Sequence, residues 1–236
     1  MRYLLLFAHP DDESFGCAGT IKKLIDQGDE VIIVSATDGA AGEVHETAQQ
    51  KLEELGSVGE LRRAELSQVS QFLNVTKLHI LHFQDGEITN AQVWGKLRET
   101  FIDLIDQYKP DAVVTFDHSG WYFHLDHVGV SIAATLAFQQ STHRPEVLLF
   151  SYFRVSALKW KYIFAEKLPI THVVNIADLK EFKMNVLDLH ASQDTTMYRE
   201  KMLHDAKHQE LYSVAMATEK GKKILEESKI FERVKN

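Results

Sequence analysis

Two apolar runs in this chain each lead into a short segment crowded with imidazoles and carboxylates, and that pairing restricts the fold more than any other feature. Leu4, Leu5, Leu6 and Phe7 run into Ala8-His9-Pro10-Asp11-Asp12-Glu13, while Ala112, Val113, Val114, Thr115 and Phe116 run towards His124-Leu125-Asp126-His127. Short apolar runs without alternation mark strands buried on both faces, as in a parallel sheet. A parallel sheet gathers functional side chains at the carboxyl ends of its strands. The two segments can therefore meet although they lie far apart in sequence.

The rest of the chain supplies the alternation of strand and helix that such a sheet needs. Strands are expected at 3–8, 30–36, 78–83, 112–116, 146–153 and 172–176. Helices are expected at 16–27, 60–73, 94–108 and 126–138, with Gly28 stopping the first. Residues 37–59 hold Gly39, Gly42, Gly56 and Gly59 and read as a long functional loop with a short helix inside it. Beyond Arg154 the pattern predicts helices at 179–190, 198–212 and 221–234. The expected fold is α/β and Rossmann-like, a mostly parallel sheet with helices on both faces. A single domain over 1–236 is expected, because no repeat, low-complexity tract or linker divides the chain.

Composition removes several classes of function. With 26 Lys and Arg against 34 Asp and Glu, the net charge is -8, and no basic field exists to hold nucleic acid. Lys220, Lys222 and Lys223 are interleaved with Glu219, Glu226 and Glu227, as on a solvated helix face. No apolar run reaches the roughly twenty residues of a membrane helix. The first strand is too short for a secretory signal, so a cytoplasmic protein is expected. Its partners are expected to be small molecules, with neither nucleic acid nor membrane, and a homo-oligomer is compatible with the sequence. Cys17 is the only cysteine, which excludes an internal disulfide and a thiolate zinc cluster. Any metal must be held by nitrogen and oxygen.

Catalytic zinc takes three protein ligands and leaves a position for water. His9, Asp12 and His127 supply such a set, and Asp11 between the first two is free to act as general base on the water that attacks. His124 lies close enough to His127 to serve as electrophile or general acid, and Asp126 can orient an imidazole from behind. That set suits amide hydrolysis. The plainer alternative is a turn and helix cap, with Asp12 or Ser14 capping the helix that follows. Two such segments with complementary ligands, both after strands, weigh against it.

Other candidates read as structural. His204 and His208 sit on an expected solvated helix face, His79 and His82 on a strand, and His118 near the pocket. Cys17 reads as a small helix residue packed on the sheet rather than a nucleophile. Gly16 and Gly19 have the wrong spacing for a dinucleotide loop, and two aspartates stand where a pyrophosphate would approach.

The AHPDDE and HxDH segments, in this order and at these strand ends, resemble the LmbE-like or PIG-L family of zinc-dependent N-acetylglucosaminyl deacetylases. Ser14 to Ile21, Thr37-Asp38-Gly39 with Gly42 and Glu43, Arg62, Arg63 and Glu65, Asp85-Gly86, Pro110-Asp111 and His190-Ala191-Ser192-Gln193 extend the likeness to about residue 195. The resemblance implies removal of an N-acetyl group from an amino-sugar conjugate. It implies a metal, zinc or another divalent ion such as iron, on His9, Asp12 and His127. Asp11 falls on the family's base, His124 on its oxyanion-stabilising or amine-protonating histidine with Asp126 behind it, and Arg62 or Arg63 on a substrate-binding arginine. The family commonly has Gly shortly before a His-Pro-Asp-His segment; this chain has Gly120-Trp121-Tyr122-Phe123 before its His-Leu-Asp-His, with Leu125 for Pro. Trp121 and Tyr122 are candidates for a stacking platform under a sugar ring, or else for core packing. Alternatives to deacetylation are an amidase on a non-sugar N-acyl substrate and a non-catalytic metal- or sugar-binding protein of the same fold.

Overall fold

The computed structural model describes residues 1–152, 168–204 and 207–234, apart from the side chains of residues 197, 201, 203 and 204. Its centre is strand β1 (Arg2–Phe7), followed by helix α1 (Asp12–Asp26) and strand β2 (Glu30–Ser35). Helices α2 (Gln49–Leu55) and α3 (Val58–Leu73) lead to β3 (Lys77–Ile80), and α4 (Ala91–Tyr108) leads to β4 (Ala112–Phe116). A short kinked segment α5 (Gly120–Phe123) and helix α6 (Leu125–Gln140) then reach β5 (Val147–Tyr152).

These five strands are parallel and lie in the order β3-β2-β1-β4-β5. Leu5 sits between Ile33 of β2 and Val114 of β4, and the apolar residues of all three strands are buried, as the unbroken runs require. The chain winds outward from β1 in one direction and from β4 in the other. The junction of β1 and β4 is thus the switch point, where a crevice opens beyond the strand ends. Helices α4 and α6 pack on one another, and α1 packs with α3 and with α7 (Lys180–Asp188), giving helices on both faces.

Past β5 the sheet changes sense. Strands β6 (His172–Asn175), β7 (Gln209–Ala217) and β8 (Glu232–Arg233) extend it antiparallel in the order β5-β7-β6-β8, with α8 (Thr196–His204) and α9 (Glu219–Glu226) between them. This is where the sequence-based expectation fails. Helix 198–212 ends at His204, and the next nine-residue strand was read as helix or left unassigned. The cause is composition: Glu210, Leu211, Ala215, Met216 and Ala217 favour helix locally, while flanking strands decide the outcome. Likewise the expected helix 221–234 stops at Glu226, and Ile230 and Phe231 turn back into the core. The expected His204/His208 face does not form, because His208 lies beyond α8, and the His204 side chain is outside the described residues. Among the described residues no helix is long and apolar enough to cross a membrane.

Helix α1 begins at Asp12, earlier than its apolar spacing indicates, with Asp12 and Glu13 at the positive end of the helix dipole. A buried ion pair fixes its middle. Lys183 of α7 donates to Glu210 of β7 at 2.6 Å and to the Phe15 carbonyl at 2.8 Å. Glu210 also accepts the Gly19 and Thr20 amides at 3.0 and 2.7 Å. Burial opposes the Lys183 charge, but Glu210 outweighs it and holds the ammonium well above its usual range. Replacing Glu210 with Ala strands that charge, and is expected to cost about 3–5 kcal/mol in urea denaturation. A loss under about 1 kcal/mol, the worth of a surface pair, would show that this pair does not fix α1.

Candidate metal and catalytic centre

Asp12 is in the first turn of α1, but its carboxylate points backwards. One oxygen accepts the amides of Ala8 and His9 at 3.2 and 2.8 Å, and the other lies 3.2 Å from His127 Nε2. His9 Nδ1 stands 3.2 Å from that same nitrogen and 3.6 Å from Asp12. All three side chains are buried. Asp12 does not cap its helix, and Ser14 turns instead to Glu13 and His190.

This donor set fits a cation. Metal bonds of about 2.0–2.2 Å place tetrahedral ligands roughly 3.3–3.5 Å apart, close to the spacings here. His9, His124 and His127 also bring one ring nitrogen each within 4.8 Å of one another. On its other side His9 is held by carboxylates, with Nε2 3.0 Å from Asp85 and 3.3 Å from Asp126. Asp126 accepts the Gly86 and Ile88 amides at 2.7 and 3.1 Å, and Asp85 accepts Ala41 at 2.8 Å. A carboxylate behind the ring fixes the tautomer and leaves Nδ1 for the metal. Burial opposes a charge on His9, but Asp126, Asp85 and Asp12 outweigh it and lift its pKa to about 10. Burial also opposes the Asp12 charge, yet His127 and His9 bring Asp12 down to about 2.

Asp11 faces elsewhere. Its backbone has φ 120°, a conformation that a non-glycine residue adopts only under constraint. Two partners supply that constraint. Glu13 accepts the Asp11 amide at 3.1 Å, and Arg62 of α3 donates to the Asp11 carboxylate at 3.1 Å and to the Pro10 carbonyl at 2.6 Å. Arg62 is buried and also donates to Gly39 at 3.0 Å. A Cβ on Gly39 would fall 2.3 Å from the guanidinium, so glycine there makes room for Arg62. Arg63 points away, to Asp38 at 2.6 Å and Glu60 at 3.2 Å. Of the two arginines expected for substrate binding, Arg62 lies at the centre and Arg63 outside it.

The second segment is built on a tight turn after β4, where Asp117 accepts the Ser119 and Trp121 amides. Trp121 and Phe123 have φ 62° and 65°, which breaks the helix and releases His124 and His127 towards β1. The His124 and His127 rings stack at 4.6 Å, and burial, with His127 and His9 beside it, holds His124 below the usual histidine range. Tyr122 is half exposed, with its ring 5.6 Å from His127. Trp121, a candidate for a stacking platform or else for core packing, is core. It is 2% exposed, donates to the Ser151 carbonyl at 2.9 Å and packs on Phe116 and against Gly16. His118 turns to Ser131 and Phe150 rather than to the centre. His79 pairs with Tyr108, and Cys17 is buried in α1. The sequence reading gave no role to Asp85, Glu13 or His190. Their signals were Glu13 as the last residue of the AHPDDE segment, and the match of Asp85-Gly86 and His190-Ala191-Ser192-Gln193 to family segments.

Residues 4–138 match the family described as PIG-L, GlcNAc-PI de-N-acetylase. The chain belongs to this family. It is 28% identical, over 82% of its own length and 82% of the other's, to the 1D-myo-inositol 2-acetamido-2-deoxy-alpha-D-glucopyranoside deacetylase of Mycobacteroides abscessus. Among solved structures, N,N'-diacetylchitobiose deacetylase from Pyrococcus horikoshii has a TM-score of 0.65 at 23% identity, covering 90% of this chain and 83% of that one. GalB, the 4-carboxy-2-hydroxymuconate hydratase of Pseudomonas putida, has a TM-score of 0.67 at 15% identity, covering 92% and 97%. These two likenesses show the fold, and the fold by itself does not choose a reaction.

Beneath Asp11, Glu13 and His190 form a pair at 3.0 Å, each 1% exposed. Burial opposes a charge on His190, but the Glu13 hydrogen bond together with the charges of Glu13, Asp11 and Glu65 outweighs it and raises the His190 pKa. A histidine raised in this way stabilises fully below its unfolded value of about 6.5 and loses that contribution as pH climbs through the folded value. Glu13→Gln is therefore expected to destabilise most at low pH, with the gap to wild type shrinking as pH rises. Urea melts from pH 5.5 to 9 would contradict this by showing a constant gap.

Proposed function

We propose that this chain is a metal-dependent N-deacetylase that hydrolyses the N-acetyl group of an N-acetylglucosamine-type conjugate to acetate and a free amine, within a single domain. The metal is zinc, or another divalent ion such as iron, on His9, Asp12 and His127. One observation carries the reading: neighbouring carboxylates are turned apart, Asp12 to two imidazoles and Asp11 to Arg62. The sugar rests on the relatives, since the names of the mycobacterial and Pyrococcus deacetylases both describe 2-acetamido sugars. When bound, the divalent ion supplies a Lewis acid that polarises the amide carbonyl and acidifies water.

The protein groups do the rest. Asp11 accepts the proton of the attacking water. Burial lifts its pKa, Arg62 restrains the rise and Asp12 adds to it, for a value of about 6. It is ionised at neutral pH yet basic enough to take a proton. His124, with its depressed pKa, meets the developing oxyanion as a neutral N–H donor. Asp11 then returns its proton to the departing nitrogen as the C–N bond breaks. Asp126 and Asp85 keep the His9 ring in place, and Arg62 holds Asp11 at its strained backbone angle. Tyr122 borders the centre on its solvent side, its ring 5.6 Å from His127.

Elemental analysis is expected to find about one divalent ion per chain, the number that one closed ligand set holds. Asp11→Asn should keep that ion and the fold while losing about 10² to 10⁴ in kcat, the usual worth of a general base. Asp12→Asn should lose the ion, with activity recovering in excess metal. Retention of metal by Asp12→Asn together with its loss in Asp11→Asn would reverse the roles. The acidic limb of kcat/KM should fall at or below about pH 6, because a bound dication favours the Asp11 carboxylate, and should disappear in Asp11→Asn.

A further inference from the structure

Nine large apolar side chains are exposed among the described residues, and three of them, Tyr122, Phe123 and Leu125, fall within four positions around His124. Tyr122 is 44% exposed, Phe123 43% and Leu125 63%. Both Phe123 and Leu125 are poor local choices. Phe123 holds φ 65°, where a bulky side chain is strained and glycine is not. Leu125 is the first residue of α6, a position where proline is favoured and an exposed leucine contributes no packing. Residues that break a local rule beside a functional centre point to a function for the side chains themselves.

Their location selects that function. Tyr122 and Phe123 precede His124 and Leu125 follows it, and the Tyr122 ring lies 6.2 Å from His124. The metal-facing groups are buried, so a reacting acetyl carbonyl must lie inward. In a 2-acetamido sugar the anomeric substituent sits on the neighbouring ring carbon, so it is carried outward past the rim. Resting on the deacetylase reading above, we propose that Tyr122, Phe123 and Leu125 form an apolar subsite for the aglycone. The preferred substrate is then an N-acetylglucosaminide of an apolar, flat alcohol rather than of a polyol.

The test uses the metal-loaded enzyme with the methyl and phenyl glycosides of N-acetylglucosamine, and the N-hexanoyl analogue of the methyl glycoside. Wild type is expected to prefer phenyl over methyl by about tenfold in kcat/KM, and the Phe123→Gly, Leu125→Pro double variant to bring that ratio close to one. Circular dichroism should show the variant folded, since both replacements suit the backbone they enter. Four results overturn the subsite: a wild-type ratio near one, a ratio that survives the double variant, a preference that follows the acyl chain instead, or a variant that unfolds. Unfolding would make these side chains packing elements. No turnover of any of the three compounds overturns the deacetylase reading itself, and the subsite with it.

Discussion

The carboxylate of Asp12 is the point on which the arrangement depends. By accepting the amides of Ala8 and His9 it closes the turn at the end of β1, and by facing His127 it joins that turn to α6. A negative charge placed there, among buried groups, needs compensation. The surrounding imidazoles provide some of it, and a divalent ion would provide the rest. The packing of β1 against β4 brings these groups together, because neither segment alone could present three ligands to one point. The candidate metal site is therefore a product of the switch point, and the switch point is a product of two buried apolar runs.

Two adjacent carboxylates meet different partners because the backbone separates them. Asp11 takes the strained φ and Asp12 the first helical position, so their side chains leave in different directions. Asp12 falls to about 2 among imidazoles, whereas Asp11 rises to about 6 in a buried site that Arg62 only partly offsets. A pair of like groups whose environments push them apart is a general sign of divided acid-base roles. The strain at Asp11 is sustained by Glu13 and Arg62, with His190 holding Glu13 from a distant part of the chain. Its local destabilisation is thus met by buried polar contacts elsewhere in the fold.

The parallel half of the fold was legible in the sequence because its strands are buried on both faces and their apolar runs are continuous. The strand at Ala112–Phe116 was expected with these same bounds, and β1 differs by one residue at each end. The antiparallel half was less legible. Strand β7 is written in residues that favour helices, and its identity comes from β5 and β6 on either side of it. The ligand candidates could be picked out because two segments with complementary donors both follow buried strands, although either one alone also reads as a turn and helix cap. Asp85 could not, since Asp-Gly after a strand is also ordinary turn chemistry, and only the folded chain places it 3.0 Å from His9. Trp121 misled for the opposite reason: an aromatic beside a motif fits either pocket or core, and its buried indole, bonded to Ser151, decides for core.

A hydratase and a deacetylase share this fold, so the scaffold leaves chemistry to the residues at its switch point and specificity to the loops around it. The two are physically separable here. The candidate ligands and base sit on the ends of rigid elements, where a small displacement would cost the proposed reaction. Tyr122, Phe123 and Leu125 sit on the solvent side of the kink between β4 and α6, where their side chains can change without moving His127. That kink already tolerates positive φ at Gly120, Trp121 and Phe123, so its conformation is enforced by Asp117 beneath it rather than by the identity of the exposed residues. A turn held from below can vary its upper surface freely, and for this reason substrate preference can diverge within the family while the metal-binding groups stay in register.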